Sequence, residues 1–148
     1  PFGEIVEMKD DSPTLTFNTI GRHQSMMVNT RIASNKSPWL TNCKVGDIHN
    51  VAISHGEGRF VAPAALLKQM ADNGQIATQY VDLNGNPTYD IRFNPNASVD
   101  AIEGITSPDG RVLGKMAHSE RFGTDITKNV PGNKDQQIFA SGVAYFTK

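Results

Sequence analysis

From Leu15 onward, short runs of apolar and β-branched residues are broken by Gly, Asn, Ser and Pro, and this spacing predicts strands. The first three fall over 15–20, 26–32 and 48–53. Two further pairs, 75–83 with 88–93 and 101–107 with 111–116, flank Asn84-Gly85 and Asp109-Gly110. Both dipeptides tolerate positive φ at two successive positions, so each pair reads as a hairpin. Two stretches change period. Pro63 precedes Ala64, Ala65, Leu66, Leu67, Met70 and Ala71, with Gly74 beyond them, the asymmetry of a helix over 63–73. The last helix is expected over 135–146, where Ile138, Phe139, Val143 and Phe146 make an approximate stripe whose default meaning is core packing.

The length of 148 residues fits one domain, large enough to close a core over a pocket, and 38% hydrophobic content argues against disorder. Fourteen Lys and Arg against fifteen Asp and Glu are scattered and give a formal net charge of -1. That leaves no electrostatic footprint for nucleic acid or an anionic membrane. No apolar run approaches the roughly 20 residues that cross a bilayer, and no charged-then-apolar leader opens the chain, so a cytoplasmic protein is expected. Cys43 is the only cysteine, which excludes an internal disulfide and a multi-thiolate zinc site. Pro1-Phe2-Gly3-Glu4 lacks an initiator Met and suggests a segment of a longer chain, with processing as the alternative.

Candidate chemistry lies in two places with the same local spelling, His55-Gly56-Glu57 and His118-Ser119-Glu120, each after an expected strand. An imidazole can take a proton from a nucleophile and return it to a leaving amine near neutral pH. A carboxylate on its other nitrogen fixes the tautomer. A nucleophile is then needed. Cys43 has neither the strand before nor the helix after that a nucleophile elbow requires. Trp39 reads as a packing anchor, and His23 and His49 as ordinary strand or loop residues.

The segments Ser54-His55-Gly56-Glu57-Gly58-Arg59-Phe60 and Phe93-Asn94-Pro95-Asn96, and above all the run from Gly104 through Ser107-Pro108-Asp109-Gly110 to His118-Ser119-Glu120-Arg121, resemble the glutaminase domain of phosphoribosylformylglycinamidine synthase. The stretch from Asn18-Thr19-Ile20-Gly21-Arg22-His23-Gln24 to Ser37-Pro38-Trp39-Leu40 is similar to the long, single-chain form of that enzyme. The resemblance implies the C-terminal portion of a flavodoxin-like α/β class I glutamine amidotransferase domain, one unit over 1–148, lacking an upstream nucleophile-elbow segment. It implies a Cys-His-Glu triad with His118 as base and Glu120 as its orienter, and a glutamine pocket helped by His55, Gly56 and Glu57.

The same resemblance implies hydrolysis of glutamine to ammonia, delivered to a synthetase domain that converts formylglycinamide ribonucleotide to its amidine in purine biosynthesis. ATP and Mg belong to that separate domain, and no cofactor is expected in this chain, which carries no G-x-x-x-x-G-K-S/T loop. The expected partners are glutamine, the synthetase domain and the upstream half of the glutaminase domain, with self-association of the chain alone. Three positions depart from the pattern: Ser119 stands where separate-subunit members usually have Pro, Met26 where Arg is expected, and Ala97 where Gly is usual. Two other classes compete. One is a non-catalytic docking module. The other is a metal-dependent hydrolase in which His55, Glu57, His118 and Glu120 converge on zinc or manganese.

Overall fold

The computed structural model describes residues 8–147, so the expectation placed on Pro1-Phe2-Gly3-Glu4 lies outside the described residues. Eight strands and two helices follow in the order β1 (Thr14–Thr16), β2 (Gln24–Ile32), β3 (Ile48–His55), β4 (Arg59–Val61), α1 (Ala64–Asp72), β5 (Ile76–Tyr80), β6 (Ile102–Thr106), β7 (Leu113–Lys115), β8 (Ala117–His118) and α2 (Ile138–Phe146). A small sheet pairs β1 with β4. The main sheet has six strands in the order β7-β6-β5-β2-β3-β8, and every pairing described is antiparallel. Its two edge strands are consecutive in the chain, separated only by Met116. The sheet therefore curls until its edges meet, and the run from Leu113 to His118 leaves β6 on one side and joins β3 on the other.

Alternation sets which side chains face the core. Along β2, Val28, Thr30 and Ile32 are buried, and along β3 His49, Val51 and Ile53. With Tyr80, Ala101 and Ala117, the residues Val28, Val51 and Ile53 form one apolar cluster. Full burial of each such aliphatic side chain contributes about 1.5–3 kcal/mol. α1 presents Leu67 and Met70 to Phe60 and Ile102. As the Pro63 and Gly74 signals require, it begins after Pro63 and ends before Gly74, whose φ is +67°.

The hairpin at Asp109-Gly110 forms, pairing Ile105 with Gly114, but through a wider connection than a two-residue turn. Only Gly110 is left-handed there, at φ +77°, and a Cβ on it would stand 3.2 Å from the Ser37 Cα. The expected strand over 88–93 does not form. The Thr88 hydroxyl accepts from the Asp90 amide and the Asp90 carboxylate from the Arg92 amide, while the Phe93 and Asn94 amides return to the Asp90 carbonyl. These local bonds satisfy the backbone in turns and outcompete the strand propensity of Tyr89 and Ile91. The Asn84-Gly85 turn closes only one bridge, Val81 to Pro87, where proline has no amide to extend a ladder.

The stripe on α2 also departs from expectation. Ile138 is buried, but Phe139, Val143 and Phe146 are exposed, and the helix packs instead through Ser141 and Gly142 against the 3-10 turn Pro38–Leu40. No helix among the described residues is long and apolar enough to cross a membrane.

Candidate active site

β8 ends at His118, which lies opposite Ala52 of β3. The chain then turns, with the Arg121 amide donating to the His118 carbonyl at 3.1 Å. This turn folds Glu120 back onto the ring, so that His118 Nδ1 and Glu120 Oε1 stand 2.7 Å apart. Arg121 Nε lies 3.8 Å from the same carboxylate oxygen. The Glu120 carboxyl is held below the usual carboxylate range, first by its own backbone amide and then by His118 and Arg121, with slight burial opposing them. It is thus an anion at neutral pH, and an anion on Nδ1 places the proton of the neutral ring there, leaving Nε2 to accept one.

The pair stands at a cleft of about 640 Å³ lined by Trp39, the 111–120 run, Ile138 and Phe139. Trp39 is anchored by its indole N–H, which donates to the Arg111 carbonyl at 2.7 Å, and its ring packs 5.7 Å from that of Phe146.

The approach to His118 is braced by a buried ion pair. Glu103 on β6 has no exposed side-chain surface, and its carboxylate accepts from the Met116 amide at 3.0 Å, the Ala117 amide at 2.6 Å and the Thr78 hydroxyl at 2.5 Å. Lys115 Nζ lies 3.2 Å from the carboxylate and donates to the Ala117 carbonyl at 2.9 Å. Where the run changes neighbours from β6 to β3, these side chains supply partners that a ladder supplies elsewhere.

The second spelling sits elsewhere. Because β3 and β8 are antiparallel, His55 lies three residues beyond the position opposite His118, roughly 10 Å along the strand and on the side away from Glu120. Neither His55, Gly56 nor Glu57 lines the cleft at His118. The loop is held from behind. Asn18 Nδ2 donates to the His55 carbonyl at 2.9 Å, the Gly56 carbonyl accepts from the Asn18 amide at 2.9 Å, and the Gly58 amide donates to Asn18 Oδ1 at 3.2 Å. Asn96 donates to the Gly58 carbonyl and, at 3.1 Å, to the Tyr80 hydroxyl oxygen. Gly58 must be glycine because the His55 ring lies against it where a Cβ would be. Both His55 ring nitrogens are buried without a hydrogen-bond partner. Burial holds this imidazole below its ordinary pKa, assisted by His23 and His118 and opposed by its own backbone and Glu103.

Cys43 is 5% exposed and its thiol donates to the Gln136 carbonyl at 3.1 Å. Burial, then Asp47 and Asp135, push its pKa up, the reverse of what a nucleophilic thiolate needs. His55, Glu57, His118 and Glu120 do not converge as metal ligands: among the described residues no group of three or more His, Cys, Asp and Glu is placed to hold an ion. Glu103, Asn18, Asn96 and Gln136 were not legible as supports, since each meets its partner only through the fold, although Asn18 and Asn96 lie in segments that carry the resemblance.

Three comparisons bear on this arrangement. Residues 1–146 match the family model of the CobB/CobQ-like glutamine amidotransferase domain. Phosphoribosylformylglycinamidine synthase subunit PurQ of Thermomicrobium roseum is 40% identical over 111 residues, 75% of this chain and 45% of that one. The PurQ subunit of Methanosarcina acetivorans is 29% identical over 147 residues, 99% of this chain and 61% of that one. The solved structure of PurLQS from Thermotoga maritima superposes with a TM-score of 0.66 at 23% identity, over 91% of this chain and 53% of that chain, a likeness of fold. The chain thus spans about half the length of relatives it matches. With 146 of its positions inside one family model, and an α/β fold shared with PurLQS, it belongs to the CobB/CobQ-like glutamine amidotransferase domain family.

Proposed function

We propose that this chain supplies the general base and its orienting carboxylate to a glutaminase that feeds ammonia to the synthesis of formylglycinamidine ribonucleotide. The observation that carries the reading is the 2.7 Å bond from His118 Nδ1 to Glu120 at the mouth of the cleft. His118 Nε2 takes the proton of a cysteine thiol, and the thiolate attacks the side-chain amide carbon of glutamine. As the C–N bond breaks, the imidazolium gives its proton to the departing ammonia. The same nitrogen then takes a proton from water, which attacks the γ-glutamyl thioester and releases glutamate and the thiol. Glu120, ionised throughout, holds the ring in the tautomer these steps require and stabilises the imidazolium.

The buried Cys43 thiol, tied to Gln136, does not suit the attacking group. The proposed thiolate therefore comes from sequence outside these 148 residues, and the chain alone is expected to be inactive. The same source would cover the outward stripe of α2. On the resemblance, His55, Gly56 and Glu57 contribute to the glutamine pocket from the far end of β3. ATP and Mg would act in a separate synthetase part.

Replacing His118 by Ala in the complete enzyme should lower glutamine-dependent turnover about 10³-fold while synthesis from added ammonia continues. Equal loss of both activities would refute the assignment. A glutamine-like alkylating label should leave Cys43 unmodified in the isolated chain, as intact mass would show, and a His118-dependent adduct on Cys43 would place the nucleophile here instead.

A further inference from the structure

Ser119 is the second residue of the four-residue turn from His118 to Arg121, the position where proline, with its fixed φ, is favoured. A serine there lacks the fixed φ that proline would give, so the backbone of the turn is held by the bond from the Arg121 amide alone, yet the turn is what brings Glu120 to the ring. The structure supplies another restraint. The Ser119 hydroxyl donates to Gln136 Oε1 at 2.5 Å. Gln136 is 1% exposed and its Nε2 stands 3.4 Å from the hydroxyl oxygen of Thr30, a fully buried residue of the central strand β2. The Gln136 carbonyl in turn accepts from the Cys43 thiol. The next residue, Gln137, is left-handed at φ +51° and starts α2. A buried amide is therefore fixed by the core on one side and presents its oxygen to the turn on the other.

We infer that Gln136, acting through the Ser119 hydroxyl, is the positioning residue that sets the His118–Glu120 geometry, taking over the restraint a proline at position 119 would give. Its importance for glutamine hydrolysis rests on the reading of His118 as the base. The geometric part stands apart from that reading and is tested first, in the 148-residue chain.

In the ¹⁵N spectrum of the wild-type imidazoles, the two His118 signals should be widely separated, as in a single neutral tautomer. Ser119→Ala should move them toward one averaged position while amide signals of β2, β5 and α1 stay in place. Ser119→Pro should restore the separation by fixing φ, and Ser119→Thr by returning a hydroxyl. Gln136→Met should reproduce the alanine spectrum. Unchanged separation in Ser119→Ala, or averaging that proline and threonine both fail to reverse in a folded chain, would overturn the inference.

In the complete enzyme, Ser119→Ala should then lower kcat with glutamine about tenfold, with KM and ammonia-dependent synthesis unmoved. A wild-type kcat for Ser119→Ala would refute the catalytic part of the inference. Should His118→Ala itself leave glutamine use intact, the glutaminase reading fails, while the spectra still decide whether Gln136 sets the turn.

Discussion

Ala97 is held at φ +58°, in the left-handed region that a Cβ disfavours by about 1–2 kcal/mol. Its neighbours leave it no choice. Asn94, Asn96 and Ser98 are fully buried, the Asn94 side chain bonds the Ser98 amide and carbonyl, and the Ala97 amide returns to the Asn94 carbonyl. Those bonds support the 55–58 loop, since Ser98 and Asn96 both donate to the Gly58 carbonyl. The strain at Ala97 is therefore borne by a network that holds the loop. Ala97→Gly should relieve it. After the entropic cost of the added chain freedom, the gain should be about 1 kcal/mol, a rise of roughly 3 °C in Tm. A lower Tm in calorimetry would show that the left-handed turn is not what the alanine costs. This position was legible in the sequence only as a missing glycine. Its sign became readable once φ was known.

At the scale of elements, the crossing from β7 to β8 decides where His118 stands. Glu103 and Lys115 are buried against each other there, and such a pair is sensitive to the loss of one member because the other is left charged and unpaired. In Glu103→Gln the amide oxygen can keep the bonds from the Met116 and Ala117 amides and the NH2 can donate to the Thr78 hydroxyl oxygen, so what is lost is the charge opposite Lys115. We expect a loss of about 3 kcal/mol by urea denaturation, with Lys115→Met close behind. A change under 0.5 kcal/mol in both would mean the crossing is held by the sheet alone.

None of this was legible beforehand, because within the expected strands 101–107 and 111–116 nothing sets Glu103 and Lys115 apart as a pair. What periodicity and turn residues did carry were the long strands, α1 between Pro63 and Gly74, and the β6–β7 hairpin. They failed where side chains capture the backbone locally, as Thr88 and Asp90 do over 88–93. The α2 stripe was read correctly as apolar and wrongly as buried, since a pattern gives a face but not what covers it. The pairing of His118 with Glu120 was legible in their local spelling, and the Gln136 tether was not, because it lies seventeen positions from Ser119.

Across the whole molecule, buried imidazoles couple stability to pH. His49 is 3% exposed, and burial holds its pKa below the ordinary value, with Lys115 adding to this and Asp47 and Asp135 opposing. His55 is held low for the same first reason. Both stay neutral in the fold at pH values where the unfolded chain, with imidazole pKa near 6.5, already binds protons. Unfolding then takes up protons, so stability is full above about pH 6.5 and falls as the pH drops toward the folded values, by up to about 1.4 kcal/mol per pH unit for each group.

The carboxylates act lower. Asp90, brought down to about 2 by its fork to Arg92, and Glu120 contribute only above the carboxylate range and lose that contribution as the pH falls below about 4. Urea denaturation of His49→Gln should therefore show a shallower slope of stability against pH than the wild type just below pH 6.5, and an unchanged limb below pH 4. A wild-type slope in the upper window would mean that His49 is protonated in the fold.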